Sequence, residues 1–587
     1  MATKLKSVDV VTIGVGLTGA ILGKELAEHG LKVVGLERGG PRDTVPDFQS
    51  PNMHDELRFA IRKGLMSDNV KETITARNNV SETALPMRRW ESFLPATGVG
   101  GAAVHWNGQT FRFHVSDFKM KSHIEQRYGK KFMDGDLRIQ DWGVTYDELE
   151  THFDRFEYLC GTSGTAGNVK GKVQAGGNPF EAWRSRAYPT PAQKETYFGA
   201  LFRKAVVDLG YHPYPQPSSN LSQPYTNPEG LRMNACVFCG YCERFACEHF
   251  AKSSPQTMVL PKALANKNYE LRTGAQVLKI NLDSDKKKAV SVTYVDNAGR
   301  EFEQPADLIL VTAFAVNNAR MMLLSGIGKP YDPQTETGTI GKNYAYQTMS
   351  SAQVFYDESV NINPFMASGA NGTMIDDFGG DNFDHGPHKF VGGAYIGAIG
   401  THGRPIEFHP TPPGTPQWGL EWKKAVKKHY NHTIALNVHG SSSASRWNYL
   451  DLDPTYKDAW GLPLLRMTFD FPDNDIRMAE FCAGKAKGIG DKMGGKLVAA
   501  FPRKKSWNTM VYQTTHTTGG VIMGADPKDS AVNKYLQSWD CPNVFVVGAS
   551  AFPQNAAYNP TGTVAALTYF ALDAIKNKYL KNPGALV

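Results

Sequence analysis

The sequence predicts an α/β fold: a doubly wound, mostly parallel sheet with an α+β segment inserted into it. Three observations carry that prediction. An apolar, β-branched run at 8–13 passes through a glycine-rich turn into a helical pattern at 17–29 and a second strand at 32–36, a βαβ unit of about 30 residues. Similar transitions recur far along the chain, from strand 308–311 into helix 317–325 and from strand 543–547 towards an amphipathic helix at 563–576. Between them, residues near 116–229 and 346–500 are rich in Pro, Gly, Asn and aromatics, with long loops at 365–387 and 401–419 that suit pocket walls or lids. The expected boundaries place residues 1–115, 230–345 and 501–587 in one discontinuous nucleotide-binding domain, and 116–229 with 346–500 in a substrate-binding domain.

At 587 residues the chain is too long for one ordinary core. A hydrophobic content of 41% and a charged content of 21% describe a globular protein. The net charge of +7 is scattered, and short runs such as Lys286–Lys288 read as solvated surface. No basic stripe interleaved with aromatics is present, so nucleic acid is not an expected partner. No window approaches the roughly 18–20 apolar residues of a membrane span. The first residues, 1–7, lack the apolar core of a secretory signal.

Gly14-Val15-Gly16-Leu17-Thr18-Gly19 is a G-x-G-x-x-G motif placed after a strand and opening a helix. Gly14 allows the tight turn, Gly16 admits a pyrophosphate, and Gly19 lets helix and strand approach. Helix amides then face the phosphate charge. Glu37 ends the second strand, where a carboxylate can accept ribose hydroxyls. NAD and FAD share this fingerprint. A second glycine cluster, Gly98 to Ala103, precedes His105 and Trp106 and could lie flat against a large ring system. Asn559-Pro560-Thr561 opens a late helix whose amides could point at a flavin carbonyl.

Together these segments resemble the glucose–methanol–choline oxidoreductase family. The fingerprint ending in Glu37-Arg38-Gly39 carries the likeness, with the Gly98–Ala103 loop, Leu323–Gly328, His516–Gly520, Asn543–Ser550 and Asn559–Thr563. The chain departs from the family at Thr312–Ala315, which lacks a glycine many relatives show, and at Gly548, where many have Asp. The likeness is nearest to the large subunits of bacterial three-subunit gluconate, 2-ketogluconate, fructose and sorbitol dehydrogenases. It implies a Rossmann-type FAD-binding domain and cofactor contacts from Arg38, Gly100, Gly101, His105, Trp106, Val277, Gly548, Ala549, Asn559, Pro560 and Thr561.

Oxidising an alcohol needs a base for the hydroxyl proton while the carbon-bound hydrogen leaves as hydride. The resemblance assigns that base to His516, with Asn559 as the second residue beside the flavin. His105, His114, His249 and His439 read as structural or pocket-lining, His439 being the best placed to support the chemistry. A carboxylate-bearing substrate also calls for a cation, and no Arg or Lys stands out.

Of seven cysteines, four crowd into Cys236-x2-Cys239-x2-Cys242-x4-Cys247. Thiolates so spaced on a turning loop can converge on zinc or on an iron–sulfur cluster. The family likeness implies a three-iron (3Fe-4S) cluster held by three cysteines, with Cys239 the first suspect for a spare. It also implies a multihaem cytochrome c subunit as electron acceptor, since this chain has no C-x-x-C-H haem site. A small subunit carrying an export signal is implied too, and with it a periplasmic location, attached to the membrane only indirectly through the cytochrome. The expected reaction is oxidation of D-gluconate to 2-keto-D-gluconate. A 2-ketogluconate, sorbitol or fructose dehydrogenase, a soluble alcohol oxidase, a non-catalytic flavoprotein and a zinc-stabilised binding protein stand as alternatives.

Overall fold

The computed structural model describes residues 2–49, 65, 67, 71, 73–88, 93, 95–133, 135–400, 408–509 and 515–586. Part of the expected loop at 401–419, residues 401–407, and Thr514 beside His516 lie outside these.

The nucleotide-binding sheet has eight strands. Its parallel core runs Tyr269–Thr273, Val33–Glu37, Val8–Ile13, Glu301–Val311 and Val544–Val546. Five chain segments thus meet in one layer. The central ones, Val8–Ile13, Val33–Glu37 and 308–311, read as apolar runs because both faces are covered, whereas the edge strand Tyr269–Thr273 carries exposed Glu270. The Glu301–Val311 strand plays two roles. Its first half pairs antiparallel with Ala289–Val295, and its second half joins the parallel core. The Leu17–Glu28 helix packs on this sheet through Ile21, Leu22 and Leu26, all fully buried.

A second sheet of six strands has the order Leu497–Phe501, Thr348–Phe355, Thr433–Gly440, Ala394–Ile399, Gly372–Ile375 and Tyr214–Pro215. Every pairing in it is antiparallel. Alternation sorts its side chains: Ile434, Leu436 and Val438 join the core under helices Tyr197–Asp208 and Asp473–Lys492. The opposite face, with Tyr395, Asn437 and His439, borders the large pocket described below. The Gly372–Ile375 strand falls inside the stretch 365–387 expected to be loop. Four residues bounded by Gly and Asn are too few for periodicity to reveal, and their full burial comes from partners distant in sequence.

The strand expected at 308–311 begins earlier, at Glu301, while the other expected nucleotide-domain elements begin and end within two residues of expectation. The third nucleotide helix spans Ala315–Ser325 and the last spans Thr561–Ala574, with Pro560 as its N-cap. Among the described residues, no helix is long and apolar enough to cross a membrane.

Candidate active site

One pocket of about 360 Å³ separates the two sheets. Gly14, Gly16, Glu37, Arg38, Gly101, His105, Trp106, Val277, His516, Gly548, Ala549, Asn559, Pro560 and Thr561 all border it. Gly19 and Gly100 are not among its lining residues, and both act through the backbone. A Cβ on Gly19 would stand 2.1 Å from the Gly14 oxygen, so only glycine lets the first helix sit this close to its strand. Gly100, at φ +92°, donates its N–H to Val15 O at 2.8 Å.

The glycine loops form a cradle. A Cβ on Gly101 would lie 3.0 Å from the Gly16 Cα, and Gly14 has a φ of +96°. Glu37 is 6% exposed and does more than border the nucleoside end. Its carboxylate accepts N–H bonds from Val15 (3.0 Å), Gly39 (2.9 Å) and Gly98 (3.2 Å), which ties the fingerprint turn to the second glycine loop. The missing glycine near residue 313 is compensated by Thr312, whose hydroxyl lies 2.8 Å from Gly14 O. Gly548 has a φ of +144°, a backbone that an Asp there would strain.

At the other end, His516 Nε2 and Asn559 Nδ2 are 3.2 Å apart. Gln347 reaches His516 from behind, with Oε1 against Nδ1. The amide of Gln347 cannot be turned over, because its Nε2 donates to Ala557 O at 2.7 Å and Ala556 O at 3.2 Å. Oε1 therefore accepts from His516 Nδ1–H, and this fixes the tautomer that leaves the Nε2 lone pair facing the pocket. Burial, with His439 adding to it, holds the His516 pKa well below its usual value, so the ring is neutral at pH 7.

Tyr395 completes the constellation. Its hydroxyl lies 2.9 Å from Asn559 Oδ1 and 3.0 Å from Gln109 Oε1. Both amide oxygens lie within reach of the one proton Tyr395 can donate, which goes to one of them at a time, and Asn559 presents Nδ2 to His516. His439 stacks on Tyr395 at 4.9 Å between centroids and meets His516 edge-on at 5.3 Å. Its Nδ1 bonds Ala557 O at 2.9 Å, and burial lowers its pKa to about 4. His105 borders the pocket with its pKa lowered to about 3 by burial and Lys252. His114 lies apart, in a buried ion pair with Asp376 at 3.1 Å. His249 lines the cysteine pocket.

Gln347, Tyr395, Gln109 and Asn437 were not legible as site residues. For Gln347, Tyr395 and Asn437 the only sequence signal is a polar or hydroxylated side chain on a strand, or next to one, far from the fingerprint, while Gln109 follows closely on the second glycine loop. Arg38, Arg244 and Arg320 border the pocket and are the cations, among the described residues, that a carboxylate-bearing substrate could meet there.

Cys236, Cys239, Cys242 and Cys247 line one small pocket beside Lys252 and His249, and none is disulfide-bonded. The expected convergence on a metal is absent from this geometry: among the described residues, no three His, Cys, Asp or Glu form a metal-holding group. Backbone pairing holds the loop open, with Cys236 N on Leu221 O (2.8 Å) and Cys239 bridged to Ala367. Burial pushes the Cys236 and Cys242 thiols up to about 12. The donor set nonetheless fits a sulfur-ligated centre, with four thiols outside any disulfide around one void and the Lys252 ammonium donating to Cys242 O at 2.9 Å. That ammonium also donates to Trp106 O at 2.6 Å, joining the cysteine loop to the large pocket.

A glycine cradle, an acidic strand end and a neutral, tautomer-fixed histidine paired with an amide define an alcohol-oxidising flavoenzyme site. Family models for GMC oxidoreductases match residues 190–349 and 443–568, and the chain belongs to that family. It is 52% identical over 594 aligned residues to the gluconate 2-dehydrogenase flavoprotein of Pantoea cypripedii, covering 100% of this chain and 96% of that one. The fructose dehydrogenase large subunit of Gluconobacter japonicus is 24% identical, covering 98% of this chain and 99% of that one. Among solved structures, pyridoxine 4-oxidase from Mesorbium loti superposes with a TM-score of 0.59 at 16% identity, covering 97% of this chain and 99% of that one, a likeness of fold. The protein is an FAD-dependent oxidoreductase of the GMC type, and the cradle and the Glu37 end fit FAD.

Proposed function

We propose that this chain is the flavoprotein subunit of a gluconate 2-dehydrogenase, oxidising D-gluconate to 2-keto-D-gluconate. The observation that carries this reading is the 52% identity to the Pantoea cypripedii flavoprotein, which runs the length of both chains.

In this reading the C2 hydroxyl lies against His516 and Asn559. His516 Nε2, left unprotonated by the Gln347 bond to Nδ1, takes the hydroxyl proton. Asn559 Nδ2 donates to the same oxygen and steadies the charge that develops as the proton leaves. Tyr395 holds Asn559 in that orientation through Oδ1, and the buried imidazole stacked on it keeps water from the reacting carbon. FAD, when bound, supplies the acceptor for the hydride that leaves C2. Gly14, Gly16, Gly101, Glu37 and the Thr561 helix start would hold it.

The cysteine loop is read as the seat of an iron–sulfur cluster, its ligands drawn from Cys236, Cys239, Cys242 and Cys247. Such a cluster passes electrons singly to an outside acceptor. A cytochrome c subunit, a small export-signal subunit and a periplasmic location belong to the same reading. So does the division into an FAD-binding domain (1–115, 230–345, 501–587) and a substrate domain (116–229, 346–500), although a four-stranded sheet pairs Ile74–Arg77 with Pro463–Thr468 across it.

The test is a panel of D-gluconate, 2-ketogluconate, D-sorbitol and D-fructose with an artificial electron acceptor. D-Gluconate is expected to give the highest kcat/KM. A clear preference for sorbitol or fructose overturns the substrate assignment.

A further inference from the structure

The Thr433–Gly440 strand is buried at every position but one, and the exception is Asn437. Asn is disfavoured in strands, and a polar amide in the middle of an otherwise buried sheet is costly to leave unsatisfied. Asn437 borders the large pocket, and its side chain makes no hydrogen bond to any described residue. Its neighbours across the sheet are Ser351 and Gly397, and the glycine places no side chain over it. Asn437 lies two residues from His439 on the same strand face, which separates them by roughly 6.6–6.8 Å along the strand. His439 meets His516 edge-on at 5.3 Å. The free amide thus stands to one side of the reacting position, at a distance an extended polyol chain spans.

We infer that Asn437 is a specificity-determining residue, which hydrogen-bonds the substrate hydroxyls beyond the reacting carbon. An amide both donates and accepts, as a hydroxyl does, so it matches a polyol chain and has little to offer an apolar alcohol. A site built to hydrogen-bond a hydroxyl discriminates against the analogue that lacks it. Gln109 borders the same pocket, its Oε1 3.0 Å from the Tyr395 hydroxyl, and adds a second neutral amide to its wall. The inference rests on the reading of the pocket as a sugar-acid site and adds to it which end of the substrate is recognised, and by what.

The experiment compares D-gluconate with D-glycerate, which keeps the carboxylate, the C2 hydroxyl and a C3 hydroxyl but lacks the three carbons and hydroxyls beyond. Wild type, Asn437→Ala and Asn437→Thr are assayed as FAD-loaded full-length enzyme, with bound flavin as the check on folding. Thr keeps a strand-favouring side chain with one hydroxyl. Asn437→Ala is expected to raise KM for D-gluconate about tenfold with kcat little changed, and to erode the gluconate-over-glycerate preference by the same factor. Asn437→Thr is expected to fall between. Should wild type turn over gluconate while Asn437→Ala keeps both its KM and its preference, the inference is overturned and the proposed function stands. Should wild type prefer another polyol, the substrate assignment fails. The KM of the variants for that polyol then decides the role of Asn437: a rise supports it and no change overturns it.

Discussion

Gln347 and His516 are joined so that only one tautomer of the imidazole is compatible with the surroundings. The Gln347 amino group is committed to Ala557 O at 2.7 Å, which turns its carbonyl oxygen towards His516 Nδ1. Replacing Gln347 by Leu removes the acceptor and lets the ring adopt either tautomer. The expected outcome is a fall in kcat of about 10–100-fold with KM for substrate and FAD content near wild type, measured by steady-state kinetics and flavin absorbance. Equal kcat in Gln347→Leu would show that the tautomer is set elsewhere.

The same pair predicts a pH profile. Burial lowers the His516 pKa below 6.5, so the ring stays neutral as pH falls from 7, and kcat/KM is expected to hold flat until well below 6.5. Gln347→Glu places a carboxylate at Nδ1. An opposite charge favours the protonated imidazole, so the acid limb of kcat/KM moves to higher pH. A downward shift in Gln347→Glu would contradict the contact.

The glycine cradle predicts a loss of cofactor without a change in chemistry. Gly101 has a φ of +55°, and a Cβ there would approach the Gly16 Cα to 3.0 Å. Gly101→Val is expected to yield protein depleted of FAD and not restored by adding it, read from the absorbance of the purified protein. Gly19→Ala should act on folding instead, since its Cβ would meet the Gly14 oxygen at 2.1 Å. Low soluble yield and a lowered Tm are the measurements.

The cysteine pocket predicts metal content. Protein purified without oxygen should carry iron and acid-labile sulfide, and Cys242→Ser should lose both while keeping FAD, as measured by elemental analysis. Zinc in place of iron, or iron unchanged across single substitutions at Cys236, Cys239, Cys242 and Cys247, would remove the cluster from the account.

What could be read from sequence was what the backbone dictates over short distances. The 8–37 unit is legible because the strand run, Gly14, Gly16, Gly19 and Glu37 are close together and each has a geometric reason. His516 and Asn559 were reachable only through the family likeness, since a histidine among threonines and glycines has no pattern of its own. Tyr395, Gln347 and Asn437 were out of reach for a different reason. Their positions depend on the register of Thr348–Phe355, Ala394–Ile399 and Thr433–Gly440, pairings between segments tens of residues apart. The cysteine spacing placed four thiols around one void, but spacing does not say whether a loop closes on a metal, and hydrogen bonds to Leu221 and Ala367 keep it open here.

Anaerobic mixing of the purified yellow protein with D-gluconate, followed by flavin absorbance, addresses the proton-abstracting role of His516 without any acceptor protein. The wild-type flavin should bleach rapidly, and His516→Ala should keep its colour and its FAD yet bleach about 10²–10⁴-fold more slowly. Bleaching at the wild-type rate in His516→Ala, or a purified wild-type protein without bound flavin, would contradict the account.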